Sequence, residues 1–381
     1  MNRSLFKIGI IVGHPTQFEG PLYKYLHQDP AFDLTVIYMD GDRVQSVFDN
    51  ELQMDVTWGI DLLNGYNYKI LPNTNRLAWL TKVITSNSFD LLILNGYNRI
   101  ELLWSLVLAK YCNINTALRL DSVYNPMDSA FKRLSKKIIL PFIYKLYDAF
   151  LATSTTTKAF LISKGVSAKK IFFFTYAVDQ TWFRNYSSQT QSQKDLTKKN
   201  YSIPKDKKIV ISVSKLSARE TPWDLLNALS LIDEDCVCIL IGDGPDRKLV
   251  EDYITTIPNK VILLLGYIQY PLLPSLYAIS DVFVHAAMEE PYGVSVAEAL
   301  SCGVPVIASN RVGSASDLLI EGKNGSKYEH GNHKDLAKKI DYYFSRDDKK
   351  FGDVADKQLL IWDYANTSKE ILACTNYLLH I

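Results

Sequence analysis

The sequence has little charge of either sign in excess, little cysteine and no long apolar run. Lys and Arg total 42 against 41 Asp and Glu, a formal net charge of +1. Without a net positive field the chain lacks the electrostatic footprint of a duplex-binding protein, so no nucleic-acid partner is expected. Any anionic ligand must then be met by local charges. Five cysteines stand apart at Cys112, Cys236, Cys238, Cys302 and Cys374, an odd number with no metal-knuckle spacing. They are expected as small buried apolar residues in a reducing cytoplasm. No run approaches the roughly 20 apolar residues of a membrane span. The first run, Ile8–Val12, is too short for a signal peptide and suits a first strand. A Gly-x-Ser-x-Gly elbow and a Walker A lysine loop are both missing, against hydrolase and P-loop ATPase chemistry. The triplets Asp40-Gly41-Asp42 and Asp233-Glu234-Asp235 read as turns, and His330 and His333 have no nearby third ligand. No catalytic metal is expected.

What is present is ordinary globular material, 47% hydrophobic and 22% charged, in a chain of 381 residues, long enough for two domains. Short apolar runs alternate with stretches of helical period in both halves. Examples are Ile8–Val12, Leu91–Leu94 and Thr116–Leu120, then Lys208–Val213, Val237–Ile241, Val282–Val284 and Val304–Ala308. This alternation predicts an α/β fold with parallel sheets covered on both faces. The polar stretch from Asn185 interrupts the series once and reads as a linker. The expected organisation is an N-terminal Rossmann-like domain over residues 1–184, a linker over 185–207, a C-terminal Rossmann-like domain over 208–355, and a helical segment over 356–381 packing back toward the first domain. Two open parallel sheets facing each other leave a central cleft at the carboxyl ends of their strands, where such folds bind ligands.

The most informative stretch runs from Glu289 to Ile307. Pro291 and Gly293 make a turn, and a helix starts near Val294 or Ser295. A helix start offers unpaired N–H groups and a positive dipole end, which together seat a phosphate. Glu290 and Glu298 lie on either side of that start, and carboxylates accept paired hydrogen bonds from sugar hydroxyls.

Here the sequence resembles family-four glycosyltransferases, retaining enzymes of the GT-B fold. Their hallmark is Glu, seven residues, Glu, then a Gly-x-Pro-Val strand entry; this chain has Glu290, Glu298 and Gly303-Val304-Pro305-Val306. The resemblance is strongest over 205–330. It implies that Glu290 contacts the transferred sugar, Glu298 the ribose, and Gly293, Val294 and Ser295 the phosphates. Val213-Ser214-Lys215-Leu216 resembles the family's Gly-Lys-Leu, which gives Lys215 a diphosphate contact. The family's following lysine is replaced by Glu220, with Arg219 the nearest cation. Tyr267 and Ile268 stand where the base usually lies, and Gly313 to Asp317 resembles a Gly-Gly-x-x-Glu turn.

At the acceptor end, Gly13-His14-Pro15-Thr16-Gln17 follows the first strand, so His14 and Gln17 are candidate contacts. Arg119 and Asp121 end another strand in a box resembling Arg-Gly-Asp-Ser, with Leu120 for glycine; a salt-bridged loop is the competing reading. Residues 129–147 hold five cations and no acid. They read either as a basic amphipathic stretch contacting a membrane peripherally or as a core helix with a solvated basic face. The activity implied by the resemblance is metal-independent, retaining transfer from a nucleotide-diphosphate sugar to a glycan, lipid-linked or small-molecule hydroxyl, in the cytoplasm or at the inner face of the membrane. The rivals are another GT-B enzyme, such as a nucleotide-sugar epimerase, and a non-catalytic sugar-nucleotide binding protein.

Overall fold

The computed structural model describes residues 5–41, 47–49, 54–121, 139–232, 234–346 and 358–380. Its chain forms two compact units. One comprises Met1–Val47, Asp61–Ala177 and Trp362–Ile381, the other Phe48–Ile60 and Val178–Ile361.

The first unit is built on strands β1 (Phe6–Val12), β2 (Phe32–Tyr38), β5 (Asn67–Ile70), β6 (Leu91–Asn95), β7 (Asn115–Leu120), β8 (Ala149–Ala152) and β9 (Ile171–Phe173). They form one sheet in the order β5-β2-β1-β6-β7-β8-β9, with parallel registers throughout. Apolar runs such as Leu91–Leu94, buried on both faces, explain the all-parallel arrangement. Helices Arg76–Asn87 and Ile100–Tyr111 cover one face, and Glu19–Gln28 and Tyr364–Leu379 the other. The last of these packs on β9 and on Glu19–Gln28, burying Ile371 and Cys374. Glu370 accepts the Phe173 N–H at 2.9 Å, which fixes the helix against the sheet edge.

The second unit carries β10 (Lys208–Val213), β11 (Cys236–Ile241), β12 (Val261–Gly266), β13 (Val282–His285), β14 (Val306–Ser309) and β15 (Gly325–Tyr328). Their order, β12-β11-β10-β13-β14-β15, is the dinucleotide-binding order with its reversal between β10 and β13. The short strands β3 (Val47–Asp49) and β4 (Met54–Val56) pair only with each other.

One reading of the sequence differs from the structure. The stretch read as a linker holds helices Gln180–Ser187 and Gln191–Asn200. The second has no buried residue, so it lacks the apolar stripe that marks a helix; the reciprocal capping box of Thr190 and Gln193 starts it instead. The first anchors through Phe183 and through Trp182, whose ring stacks on Tyr270 at 5.3 Å. Of the basic stretch 129–147, residues 129–138 lie outside the described residues, as do Asp42 and Asp233; residues 139–144 are helical. No described helix is long and apolar enough to cross a membrane.

Candidate functional site

In the second unit β10 and β13 pair side by side and the chain leaves them toward opposite edges of the sheet, the switch point at which such folds form a crevice. The loop after β10 is tied down first. Ser214 donates to the Ile241 carbonyl at 3.1 Å and Leu216 to that of Asp243 at 2.9 Å. Glu220, which stands where the family has lysine, is buried; its carboxylate accepts the Lys215 N–H at 3.4 Å and Arg219 Nη2 at 3.2 Å. The departure from the family pattern therefore organises the turn internally. The Arg219 carbonyl accepts the N–H groups of Met288 and Glu289, at 2.8 and 3.2 Å, stitching the β10 loop to the β13 loop.

This brings Lys215, Arg219 and Glu290 together. Glu290 accepts the Tyr292 N–H at 3.1 Å. Burial raises its carboxyl above the usual range, against the backbone bonds from Tyr292 and Gly293 and the charges of Arg219 and Lys215. A carboxylate facing two cations at a sheet's switch point suits a ligand that carries both anionic and hydroxyl groups.

Gly293 then turns the chain into the helix Val294–Ser301 at φ +85°. A Cβ there would lie 2.8 Å from Val312 Cγ1 and 3.1 Å from His285 Cδ2, so both conformation and space require glycine. Gly313 closes the same corner: a Cβ would meet the Pro291 carbonyl at 1.9 Å. The first helical turn presents the N–H groups of Val294 and Ser295, which no intrahelical carbonyl can reach. Deeper in, Glu298 is 3% exposed and accepts Tyr277 Oη at 3.0 Å. Burial pushes its carboxyl up to about 7, with the tyrosine bond working the other way. His285, the last residue of β13, is buried against Gly293 and held neutral, its pKa pushed down to about 4 by desolvation.

Tyr267 and Ile268 follow β12, beyond β11 from the β10 loop. Tyr267 is half-buried, its hydroxyl pushed up to about 12, and it donates to the Thr57 carbonyl at 2.9 Å. Gly59 lies against Pro271 and Gln269. The segment after β4 therefore packs on the loop expected to meet the base. Nothing in its local pattern announced this, because the contact spans 210 residues of sequence.

In the first unit, His14 and Gln17 follow β1, as expected, Arg119 is the next-to-last residue of β7, and Asp121 follows that strand. Arg119 is fully buried and ion-paired with Glu19, and its guanidinium lies 4.1 Å from the Phe174 ring centroid and 4.9 Å from that of Tyr176. Thr16 is within 3.3 Å of Glu19 Oε2, so the pair also braces the loop holding His14 and Gln17. Asp121 accepts Tyr176 Oη at 3.1 Å. Asp40, of the first Asp-x-Asp triplet, is held by Arg99 Nη1 at 2.8 Å. Sequence reasoning named Glu220 by its place five residues after Lys215 but not its bonds within the turn, and it missed Glu19, Tyr277 and His285, which are known only through packing.

Residues 193–357 match the glycosyl transferases group 1 family. Among curated relatives, alpha-monoglucosyldiacylglycerol synthase of Acholeplasma laidlawii is 27% identical over 48% of this chain and 43% of its own length. The chain thus spans less than half of that relative. Two solved structures cover nearly all of it: a glycosyltransferase from Rickettsia africae, TM-score 0.76 at 19% identity over 99% of both chains, and Anabaena HepE in complex with UDP, TM-score 0.75 at 18% identity over 96% of this chain and 98% of that one. At these identities the two structures establish likeness of fold. Residues 193–357 thus carry the likeness to the glycosyl transferases group 1 family, in a chain with the two-sheet GT-B fold.

Proposed function

We propose that this chain is a retaining, metal-independent glycosyltransferase that moves a sugar from a nucleotide-diphosphate sugar to a hydroxyl acceptor. The observation that carries the reading is the convergence of Lys215, Arg219 and Glu290 on the helix start at Gly293, at the switch point of the second unit's sheet. In this reading the diphosphate sits at the N–H groups of Val294 and Ser295, with Lys215 and Arg219 supplying positive charge. Glu290 receives hydroxyls of the transferred sugar, and Glu298 those of the ribose. The bond from the anomeric carbon to the phosphate oxygen breaks, and the bond to the acceptor oxygen forms on the same face. The acceptor proton passes to the leaving phosphate. The UDP held by HepE makes UDP-sugars the first donors to test. The loop bearing His14 and Gln17, with Asp121, is assigned to the acceptor, and Arg119 braces it through Glu19.

The test is a reaction with a UDP-sugar and candidate acceptors in EDTA, with the product's anomeric configuration read by NMR. A product with the donor's configuration supports the reading. Inverted product, a strict metal requirement, or conversion of the donor sugar without any acceptor overturns it.

A further inference from the structure

His285 brings an imidazole to the helix start at Gly293. It is the last residue of β13, so its side chain shares a face of the sheet with that of Phe283. The two ring centroids lie 6.2 Å apart, and Phe283 is 5.8 Å from Tyr277, whose hydroxyl reaches Glu298. A row of rings therefore runs from the partner of Glu298 to Gly293. At its end, a Cβ on Gly293 would lie 3.1 Å from His285 Cδ2 and 3.2 Å from Nε2. The edge of the imidazole bearing Nε2 thus sits against the residue that opens the helix Val294–Ser301. Nδ1 is sealed from solvent and has no hydrogen-bond partner among the described residues.

Burial keeps the ring neutral, its pKa pushed down to about 4. A neutral imidazole carries one N–H and one lone pair. Nδ1 has no acceptor to reach, and a buried N–H left unpaired is rarer than an unpaired acceptor, so the proton belongs on Nε2. That donor lies beside the residue preceding Val294 and Ser295, whose N–H groups the first turn leaves free of intrahelical partners. Glu290 lies upstream of Gly293 and, in the proposed function, receives the transferred sugar; Glu298, downstream, receives the ribose. The phosphate nearest Gly293 is then the one bonded to the sugar. We propose that His285 Nε2–H donates to the β-phosphate of the donor and of the departing nucleotide. This rests on the donor site of the proposed function and adds to it a residue that no spacing in the sequence marks. His285 keeps its proton, and the acceptor proton still passes to the leaving phosphate. Its part is to hold that phosphate and to stabilise the charge that grows there as the bond to the anomeric carbon breaks.

Calorimetric titration in EDTA with UDP, GDP and ADP and their monophosphates tests it, on wild type, His285→Leu and His285→Gln. Glutamine can bring an amide N–H near the place of Nε2; leucine brings none. For the diphosphate that the wild type holds, His285→Leu should lose roughly tenfold to a hundredfold in affinity, as for a hydrogen bond to a charged group, and His285→Gln should regain most of it. The matching monophosphate lacks the β-phosphate and should bind all three proteins alike, which a general loss of packing would not allow. Without any variant, proton NMR should show a ring N–H of His285 slowed in exchange by the diphosphate and not by the monophosphate. Equal affinity of wild type and His285→Leu for the diphosphate, an equal loss for both nucleotides, or no such N–H signal overturns the assignment alone. If the wild type binds no nucleoside diphosphate, the donor site itself falls, and the assignment with it.

Discussion

Glu298→Gln should make the ligand-free protein more stable at alkaline pH while weakening its hold on donor. The wild-type carboxyl is carried from 4.5 in the unfolded chain to about 7 in the fold, chiefly by burial. A carboxyl raised in this way contributes fully below pH 4.5, and its contribution is lost as pH rises through about 7. Linkage puts the cost at about 3 kcal/mol at pH 8 and under about 1 kcal/mol at pH 5. Glutamine keeps the shape and an acceptor for Tyr277 Oη but does not ionise. For a unit of this size the pH 8 gain corresponds to roughly 6 to 12 °C in melting temperature, shrinking to a few degrees at pH 5. Scanning calorimetry of both proteins across this range is the assay. A gain independent of pH, or a loss at pH 8, would refute the reasoning.

His285 works in the opposite sense. Held neutral with its pKa at about 4 instead of 6.5, it gives stability above pH 6.5 that is lost as pH falls, about 2 kcal/mol by pH 5. Denaturant titrations should show that His285→Leu removes this acid-side loss. Arg119→Leu leaves Glu19 buried without its partner and should cost about 3 to 5 kcal/mol by the same titration, part of it recovered in the double variant with Glu19→Gln. Tyr267→Phe removes one bond to the Thr57 carbonyl, about 0.5 to 1.5 kcal/mol. Hydrogen exchange should quicken across Val56–Ile60 while the core of the second unit keeps its protection.

Strand-length apolar runs made the two parallel sheets legible, because a strand buried on both faces carries its signal within a few residues. The edges were harder. Gly325–Tyr328 and Asn67–Ile70 lack a long apolar run and are strands because β14 and β2 pair with them. The helix after Thr190 was hidden for a related reason: it buries nothing, so only its capping box betrays it. At the candidate site, Glu290, Gly293 and Glu298 could be placed from spacing because a single turn and one helix position all three. Tyr277 and His285 could not, since each reaches the site by packing across elements. Arg119 stood out as a strand-end charge, but its burial against Glu19 spans 100 residues and has no local signature.

In the proposed function the switch point of the second unit seats a nucleotide-diphosphate sugar without metal. Calorimetric titration of UDP-sugars in EDTA, on wild type and Arg219→Ala, tests it most directly. Arg219 is 37% exposed at its side chain, and the substitution keeps the backbone carbonyl that receives Met288 and Glu289, so the fold should survive. The wild type should bind, and the variant should lose roughly tenfold to a hundredfold in affinity, as for a hydrogen bond to a charged group. Equal affinity in the two proteins would contradict the placement of the diphosphate, and absence of binding to UDP-, GDP-, ADP- and dTDP-sugars alike would contradict the donor site itself.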